Sequence, residues 1–211
     1  MATRIKADIC VIGGGSGGLS VAAGASQMGA KTVLVEGGKM GGDCLNYGCV
    51  PSKALIAAAK KAASLKDADE FGVSGPTPVV DFPKVMDHVQ EVIASIAPHD
   101  SVERFEGLGV EVIQGYGRFI SENELEVGDT RVTARRFVVA TGSSATAPPI
   151  SGLEEAGYLT NETIFENRIQ PDHLIIIGGG PIGLEMAQAH AHLGSKVTVL
   201  EAFKAFGRDD P

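Results

Sequence analysis

The apolar positions fall into one pattern that occurs twice, far apart in the chain. Lys6 to Ile12 is a short apolar run broken by Asp8, with the length of a buried parallel strand. A glycine-rich stretch, Gly13 to Gly18, follows it. An Ala-rich helical segment then runs from Leu19 to Met28, with Gly29 placed to close it. Lys31 to Val35 is apolar again and ends at Glu36. The same order returns as Leu174–Ile177, the glycine loop Gly178–Gly183, a helical Leu184–Leu193, and Lys196–Leu200 ending at Glu201. Two parallel strands joined through a helix form a βαβ unit, so the pattern predicts two of them.

Between them the periodicity changes. Pro51 suits a first helical position and Ser52 to Leu65 reads as a helix. A second helix is predicted from Phe82 to Ala97, capped by Asp81, with Val85, Val89, Val92 and Ile96 on its buried face. Val110–Ile120, Glu124–Val127, Arg131–Ala134 and Arg136–Ala140 read as short strands separated by turns, a small β-meander inserted into the first unit. Thr141-Gly142 ends the last of them. The Ser/Ala/Pro-rich connection from Ser143 to Gly152 marks the domain boundary, giving a first domain at 1–148 and the start of a second, incomplete one at 149–211.

The glycine loops sharpen this into chemistry. Gly13, Gly15 and Gly18 fit a G-x-G-x-x-G fingerprint, with Ser16 and Gly17 between them. The first glycine permits the tight turn, the second lets backbone approach a pyrophosphate, and the third allows close helix–strand packing. The phosphates then lie at a helix N-terminus, where free N–H groups and the dipole favour anions. Glu36, at the end of the second strand, can accept hydrogen bonds from ribose hydroxyls. Gly178, Gly180 and Gly183 repeat the fingerprint around Pro181 and Ile182, and Glu201 repeats the acid. A carboxylate there repels a 2′-phosphate, which favours NAD over NADP. The fold class is therefore α/β, with two Rossmann-like dinucleotide-binding units.

Composition narrows the setting. The chain has 211 residues, 44% of them apolar, and a net charge of −8 with no basic stripe, which argues against nucleic-acid partners. No segment reaches the roughly 18 apolar residues of a membrane span. Asp8 interrupts any signal-peptide core, so a cytosolic, reducing compartment is expected. Structural disulfides are rare there, and a close cysteine pair is more often catalytic or metal-binding.

Cys44 and Cys49 are such a pair. On an ideal helix residues five apart are separated by about 7.5 Å along the axis. Disulfide Cα atoms lie within about 4.4–6.8 Å. A bridge therefore needs Asn46-Tyr47-Gly48 to bend the backbone. So short a loop adds little entropic stability, which points to reversible chemistry. Cys49 stands just before Pro51, where a helix N-terminus and Lys53 favour its thiolate, while Cys44 is expected to be the more accessible thiol. A zinc site needs further ligands; no second cysteine pair exists and the five histidines are scattered. Cys10 reads as a core residue.

On these residues the chain resembles the class I pyridine nucleotide-disulfide oxidoreductases, which include dihydrolipoamide dehydrogenase, mercuric reductase and glutathione reductase. The run Gly41-Gly42-x-Cys44-x-Asn46-x-Gly48-Cys49-x-Pro51-Ser52-Lys53 is similar to that family's redox-active disulfide signature. Tyr116-Gly117-Arg118-Phe119 and Ala140-Thr141-Gly142 extend the likeness along the chain. The resemblance implies FAD along Gly13 to Gly18, Glu36, Gly42, Asp43, Cys44, Gly117, Thr141 and Gly142, with Lys53 near the flavin ring. It implies NAD(P)H at Gly178, Gly180, Pro181, Ile182, Gly183 and Glu201. Cys49 would be the flavin-proximal thiol and Cys44 the one that exchanges with substrate.

The activity so implied is electron transfer between nicotinamide, flavin and the cysteine pair. The substrate would be a small or protein-bound disulfide, or mercuric ion, and the full-length form a homodimer. Pro51-Ser52-Lys53-Ala54-Leu55 looks most like dihydrolipoamide dehydrogenases, with a mercuric reductase-like enzyme as the alternative. An NADH-dependent flavoprotein with incidental cysteines and a nucleotide-binding fragment without turnover are further readings. Asp43 stands where the family usually has threonine, and Tyr47 where it has a small aliphatic residue. None of the histidines matches the family's C-terminal acid–base motif, so the 211 residues alone are expected to turn over little.

Overall fold

The first apolar run forms strand β1 (Thr3–Ile12), longer than expected because its early residues pair with β6 (Thr130–Val139) from Thr3↔Thr130 onward. Residues 3–66, 68–75 and 78–207 are described in this computed structural model. They divide into two units, residues 1–49 with 93–162 and residues 50–92 with 163–211.

In the first unit, helix α1 (Ser16–Gln27) starts three residues before the predicted Leu19. Gly15, in extended backbone, caps it and frees the loop residues to begin the helix. Gly29 at φ +85° donates its N–H to the Ser26 carbonyl (2.9 Å), the C-terminal closure expected of it. Strand β2 (Thr32–Glu36) pairs parallel with β1, and β3 (Glu111–Gln114) with β2. Helix α2 (Gly42–Asn46) and helix α5 (Val102–Gly107) carry no sequence expectation: each is too short for a periodic signal.

The predicted strand Val110–Ile120 is two strands, β3 and β4 (Gly117–Ser121), because Gly115 at φ +152° turns the chain between them. The two strands predicted at 131–134 and 136–140 are one, since β6 passes Arg135 without a break. With β5 (Glu124–Val127), the sheet order is β3-β2-β1-β6-β5-β4, so the meander extends the parallel sheet. On one face Val11 and Leu34 pack with Leu19 and Ala22 of α1 and Phe105 of α5. On the other, Cys10, Val33 and Val35 cluster with Leu125, Val127 and Val132 of the meander. Burying each such Val or Leu stabilises by about 1.5–3 kcal/mol.

Helix α3 (Cys49–Lys66) begins earlier than predicted, which places Pro51 within its first turn, where a missing N–H breaks no helical bond. Helix α4 (Phe82–Ile96) has the expected Asp81 cap: its Oδ1 accepts from the Lys84 N–H (3.3 Å). Its buried residues are Phe82, Met86 and Val89, a face rotated from the predicted one because Phe82 and Met86 offer more apolar surface than Val85 and Val92. Short helices α6 (Leu153–Ala156) and α7 (Asn161–Ile164) follow. In the second unit β7 (His173–Ile177), α8 (Pro181–Leu193) and β8 (Lys196–Leu200) form the second βαβ motif, its two strands parallel from His173↔Lys196 to Ile177↔Leu200.

Candidate functional site

The carboxyl ends of β1, β2, β3 and β6 gather at one end of the first sheet. Gly13 donates its N–H to Val35 (2.8 Å), Ala140 to Ile12 (2.8 Å) and Gly115 to Glu36 (2.7 Å). This is where open α/β sheets place ligands. Gly13 has φ +110°, and a Cβ there would lie 2.1 Å from the Ala140 carbonyl oxygen. A Cβ at Gly18 would lie 1.8 Å from the Gly13 carbonyl oxygen, which is the helix–strand contact that requires its third glycine. Around Gly17 nothing lies within 4 Å of a built Cβ, so the outer side of the loop is open.

Glu36 is tied into this loop through both oxygens: Oε2 accepts the Gly14 N–H and Oε1 the Gly38 N–H. The Tyr116 ring lies against Gly37, where a Cβ would be 2.7 Å from two ring carbons. Gly117 follows it at the start of β4. Thr141 is exposed next to Gly13, and Gly142 turns away at φ +68°. The structure thus brings together Gly13 to Gly18, Glu36, Thr141 and the Tyr116-Gly117 segment.

The cysteine loop is built onto the same place. Gly41 donates its N–H to the Gly14 carbonyl (2.8 Å), and a Cβ on Gly42 would lie 2.6 Å from Gly15 Cα. Asn46 Nδ2 donates to the carbonyls of Met40 (3.0 Å) and Gly42 (2.8 Å). Helix α2 stops at Asn46 and α3 starts at Cys49, so the backbone bends at Tyr47-Gly48 as the spacing requires. Asp43 braces this bend. Its carbonyl accepts the Tyr47 N–H (2.8 Å), its Oδ1 accepts from Asn161 Nδ2 (2.9 Å), and its Oδ2 would be 2.9 Å from a Cβ on Gly48. Lys39 Nζ sits 5.1 Å from the centre of the Tyr47 ring.

Cys44 and Cys49 carry no disulfide and lie in hydrogen-bonding contact. Burial first, and then the neighbouring Cys49 thiol, push the Cys44 thiol above its ordinary range. The Asp100 carboxylate adds to the rise, and a backbone N–H from Cys49 opposes it. Cys44 is half-buried and Cys49 exposed, the reverse of the expected accessibility. Cys44 sits inside α2 with the loop folded back over it, whereas Cys49 opens α3 with no preceding turn to cover it.

In the second unit Gly178, at φ +116°, donates its N–H to Leu200 (2.8 Å), and a Cβ on Gly183 would lie 2.2 Å from the Gly178 carbonyl oxygen. Gly180 caps α8 in extended backbone, Pro181 is its first residue, and Ile182 is exposed. Glu201 Oε2 accepts the Gly179 N–H (2.7 Å) and Oε1 the Phe203 N–H (2.9 Å). Lys53 also lies in this unit, its Nζ 3.4 Å from Glu185 Oε1 on α8.

The family described as pyridine nucleotide-disulphide oxidoreductase matches residues 7–210. The chain belongs to this family. Its members use FAD and a nicotinamide dinucleotide. A mercuric reductase of Streptomyces lividans is 37% identical over 97% of this chain and 44% of its own length. A dihydrolipoyl dehydrogenase of Acholeplasma laidlawii is 36% identical over 92% of this chain and 59% of its own. The structure titled as a Cu(II) complex of the HOCl-induced flavoprotein disulfide reductase RclA from Escherichia coli, in a mutant form, aligns with a TM-score of 0.83 at 27% identity, over 98% of this chain and 45% of that one. The chain thus spans about half the length of the relatives it matches.

The first glycine loop fits a dinucleotide. Its glycines remove side chains where backbone must close, and the outer side over Gly17 is open for phosphate. The second loop fits one on the same grounds, with nothing within 4 Å of a Cβ built on Gly180. Sequence reading named Gly14, Gly179 and Tyr116 only as members of their motifs and missed Gly38, Phe203 and Phe206, which touch or flank the two carboxylates. Comparing the two βαβ motifs position by position carries the signal for all but Tyr116, whose contact with Gly37 is tertiary.

Among the described residues no helix is long and apolar enough to cross a membrane, and no group of three or more His, Cys, Asp and Glu could hold a metal ion.

Proposed function

We propose that the chain forms the dinucleotide-binding and dithiol-bearing part of a flavin-dependent disulfide oxidoreductase, most like dihydrolipoamide dehydrogenase, that works as a homodimer at full length. One observation carries the reading: the Cys44–Cys49 thiol contact is built directly onto the turn that packs against the first glycine loop. FAD would be held by Gly13, Gly15, Ser16, Gly17, Gly18, Glu36, Gly42, Gly117, Thr141 and Gly142, with Asp43 and Cys44 also in reach of it; Lys53 joins this set on the family resemblance alone. NADH would be held by Gly178, Gly180, Pro181, Ile182, Gly183 and Glu201, the carboxylate disfavouring NADP. FAD, when bound, supplies a two-electron relay that neither a thiol nor a carboxylate can provide.

The protein's own groups do the rest. In the reducing direction NADH and a proton become NAD+, the Cys44–Cys49 bond breaks and two thiols form. The thiolate of one cysteine, which the family resemblance makes Cys44 although Cys49 is the more exposed, then attacks a substrate disulfide, releasing one substrate thiol. Cys49 next attacks Cys44 sulfur, which releases the second substrate thiol and restores the bridge. Oxidation of a dithiol substrate runs these steps backwards.

Anaerobic thiol titration before and after NADH tests this. Two additional thiols should appear in the oxidised protein, and none in Cys44→Ser or Cys49→Ser. An unchanged thiol count refutes it. The similarity to mercuric reductases supports a second reading, in which NADH and mercuric ion give NAD+, elemental mercury and a proton. NADH oxidation driven by mercuric ion but not by lipoamide would select it.

A further inference from the structure

The turns that follow β2 and β8 have one backbone design. After β2, Gly38 donates its N–H to Glu36 Oε1, Gly41 to the Gly14 carbonyl (2.8 Å) and Gly42 to the Lys39 carbonyl (3.1 Å). After β8, Phe203 donates to Glu201 Oε1 (2.9 Å), Phe206 to the Gly179 carbonyl (3.0 Å) and Gly207 to the Lys204 carbonyl (2.9 Å). The dihedral angles agree as well: Gly41 has φ +85° and Phe206 has φ +54°.

The side chains do not agree. Gly37, Gly38 and Gly41 of the first turn are Ala202, Phe203 and Phe206 in the second. Phe206 is the one non-glycine residue at positive φ among the described residues, so it holds a strain that glycine relieves in its counterpart. A bulky residue kept in left-handed backbone is a pointer to function.

Glu201 identifies the ligand. The strand-end carboxylate of this motif accepts hydrogen bonds from the ribose next to adenine, so adenine lies beside the turn that follows. We propose that Phe203 and Phe206 form an aromatic platform for the adenine of the nicotinamide dinucleotide. This rests on the assignment of the second glycine loop to that dinucleotide. Bases stack on aromatic faces without needing hydrogen bonds, which suits an exposed turn with no polar side chain beyond Lys204. The first unit cannot use the same device. A Cβ on Gly41 would lie 2.3 Å from Leu45 Cδ2, and the ring beside this turn, Tyr116 against Gly37, comes instead from the segment entering β4.

The test compares binding of NADH with binding of reduced nicotinamide mononucleotide, which lacks adenosine, by calorimetry. Phe203→Ala and Phe206→Gly should each weaken NADH by about tenfold and leave the mononucleotide unchanged. Phe206→Gly should also hold or raise the melting temperature, because it removes the left-handed strain. Unchanged NADH affinity in both variants overturns the platform, as does an equal loss for both ligands. A lower melting temperature in Phe206→Gly with no effect of Phe203→Ala overturns it too, by making Phe206 structural. If the unsubstituted protein binds no NADH, the dinucleotide assignment itself falls. That failure is separate from one in which NADH binds but ignores the two rings.

Discussion

The two βαβ motifs share a loop and differ in what surrounds it. Gly13–Gly18 with Glu36 and Gly178–Gly183 with Glu201 make matching hydrogen bonds, from the strand-end pairing of the first glycine to the carboxylate that ties back to the second. Yet β1 lies between β2 and β6, whereas β7 pairs only with β8 among the described residues. Cys10 in β1 is fully buried, while its counterpart Ile175 in β7 is 56% exposed. Gly13 is pressed against Ala140, while nothing lies within 4 Å of a Cβ built on Gly178. The loop is therefore a self-contained device. Its own carboxylate closes it, and the enclosing sheet adds rigidity without setting its geometry.

Forcing a side chain into each loop tests that separation most severely. Gly18→Ala places a methyl 1.8 Å from the Gly13 carbonyl oxygen, and Gly183→Ala one 2.2 Å from that of Gly178. Overpacking of this kind costs roughly 1–3 kcal/mol and occasionally more. The first loop cannot retreat because Ala140 backs it, so Gly18→Ala should sit at or above about 3 kcal/mol and Gly183→Ala nearer 1 kcal/mol. Urea unfolding gives both values. Gly18→Ala should also abolish flavin retention while Gly183→Ala spares it. Equal losses of stability would show that the neighbouring strands do not stiffen the loop.

A second exchange carries the side chain of one turn into the other. Phe206 is accommodated after β8, but Gly41→Phe after β2 meets Leu45 Cδ2 2.3 Å from its Cβ and takes up left-handed backbone as well. Together these effects should cost roughly 2–4 kcal/mol. The loop also positions Cys44, so its alkylation rate should change in the same variant. A neutral Gly41→Phe would mean that the redox loop is softer than its hydrogen bonds indicate.

The same contrast explains what the sequence revealed. Both fingerprints were legible because the device is local: strand, glycines, helix and acid follow one another in the chain. The bend between Cys44 and Cys49 was legible from spacing alone, as helix geometry excludes a direct bridge. The brace from Asn161 to Asp43 was not, since it joins residues far apart in sequence. The relative exposure of the thiols was misread for a similar reason. Helix position ranks Cys49 as the activated thiol but says nothing of the fold of the loop over Cys44. The β-meander was found, but Gly115 was not seen to divide its first strand, because one glycine in a strand pattern also fits a bulge. The rotated face of α4 follows from weighting period over size, when Phe82 and Met86 bury more than the valines do.

Different burial also gives the two units opposite responses to pH. Burial pushes the Cys10 thiol up to about 12 from an ordinary 9.0. The unfolded chain therefore loses this proton first. The stability Cys10 contributes is complete below pH 9.0 and declines as pH rises toward about 12. The slope is about 1.4 kcal/mol per pH unit. Cys10→Ala should flatten that alkaline slope in chemical unfolding measured from pH 8 to 10, apart from a smaller share due to Cys44. An unchanged slope would mean that the core around β1 opens to solvent before it unfolds.

The smallest effect is the converse one, at the acid end of the second unit. His190 on α8 is buried, its Nδ1 2.9 Å from the Met186 carbonyl and its ring 6.0 Å from that of Phe82. Burial lowers its pKa from an ordinary 6.5, and the Met186 carbonyl only partly offsets this. The unfolded chain now takes up the proton first. Stability from neutral His190 is complete above pH 6.5 and is lost as pH falls below it. The slope is at most about 1.4 kcal/mol per pH unit, until the folded protein itself binds the proton. Carboxylates titrate over the same range, so the informative quantity is a difference. The stability gap between the protein and His190→Gln should shrink between pH 7 and pH 5. A gap that stays constant would mean that His190 keeps its proton in the fold, with its Nδ1–H to Met186 as one of two charged donors, and would remove the acid–alkaline contrast between the two motifs.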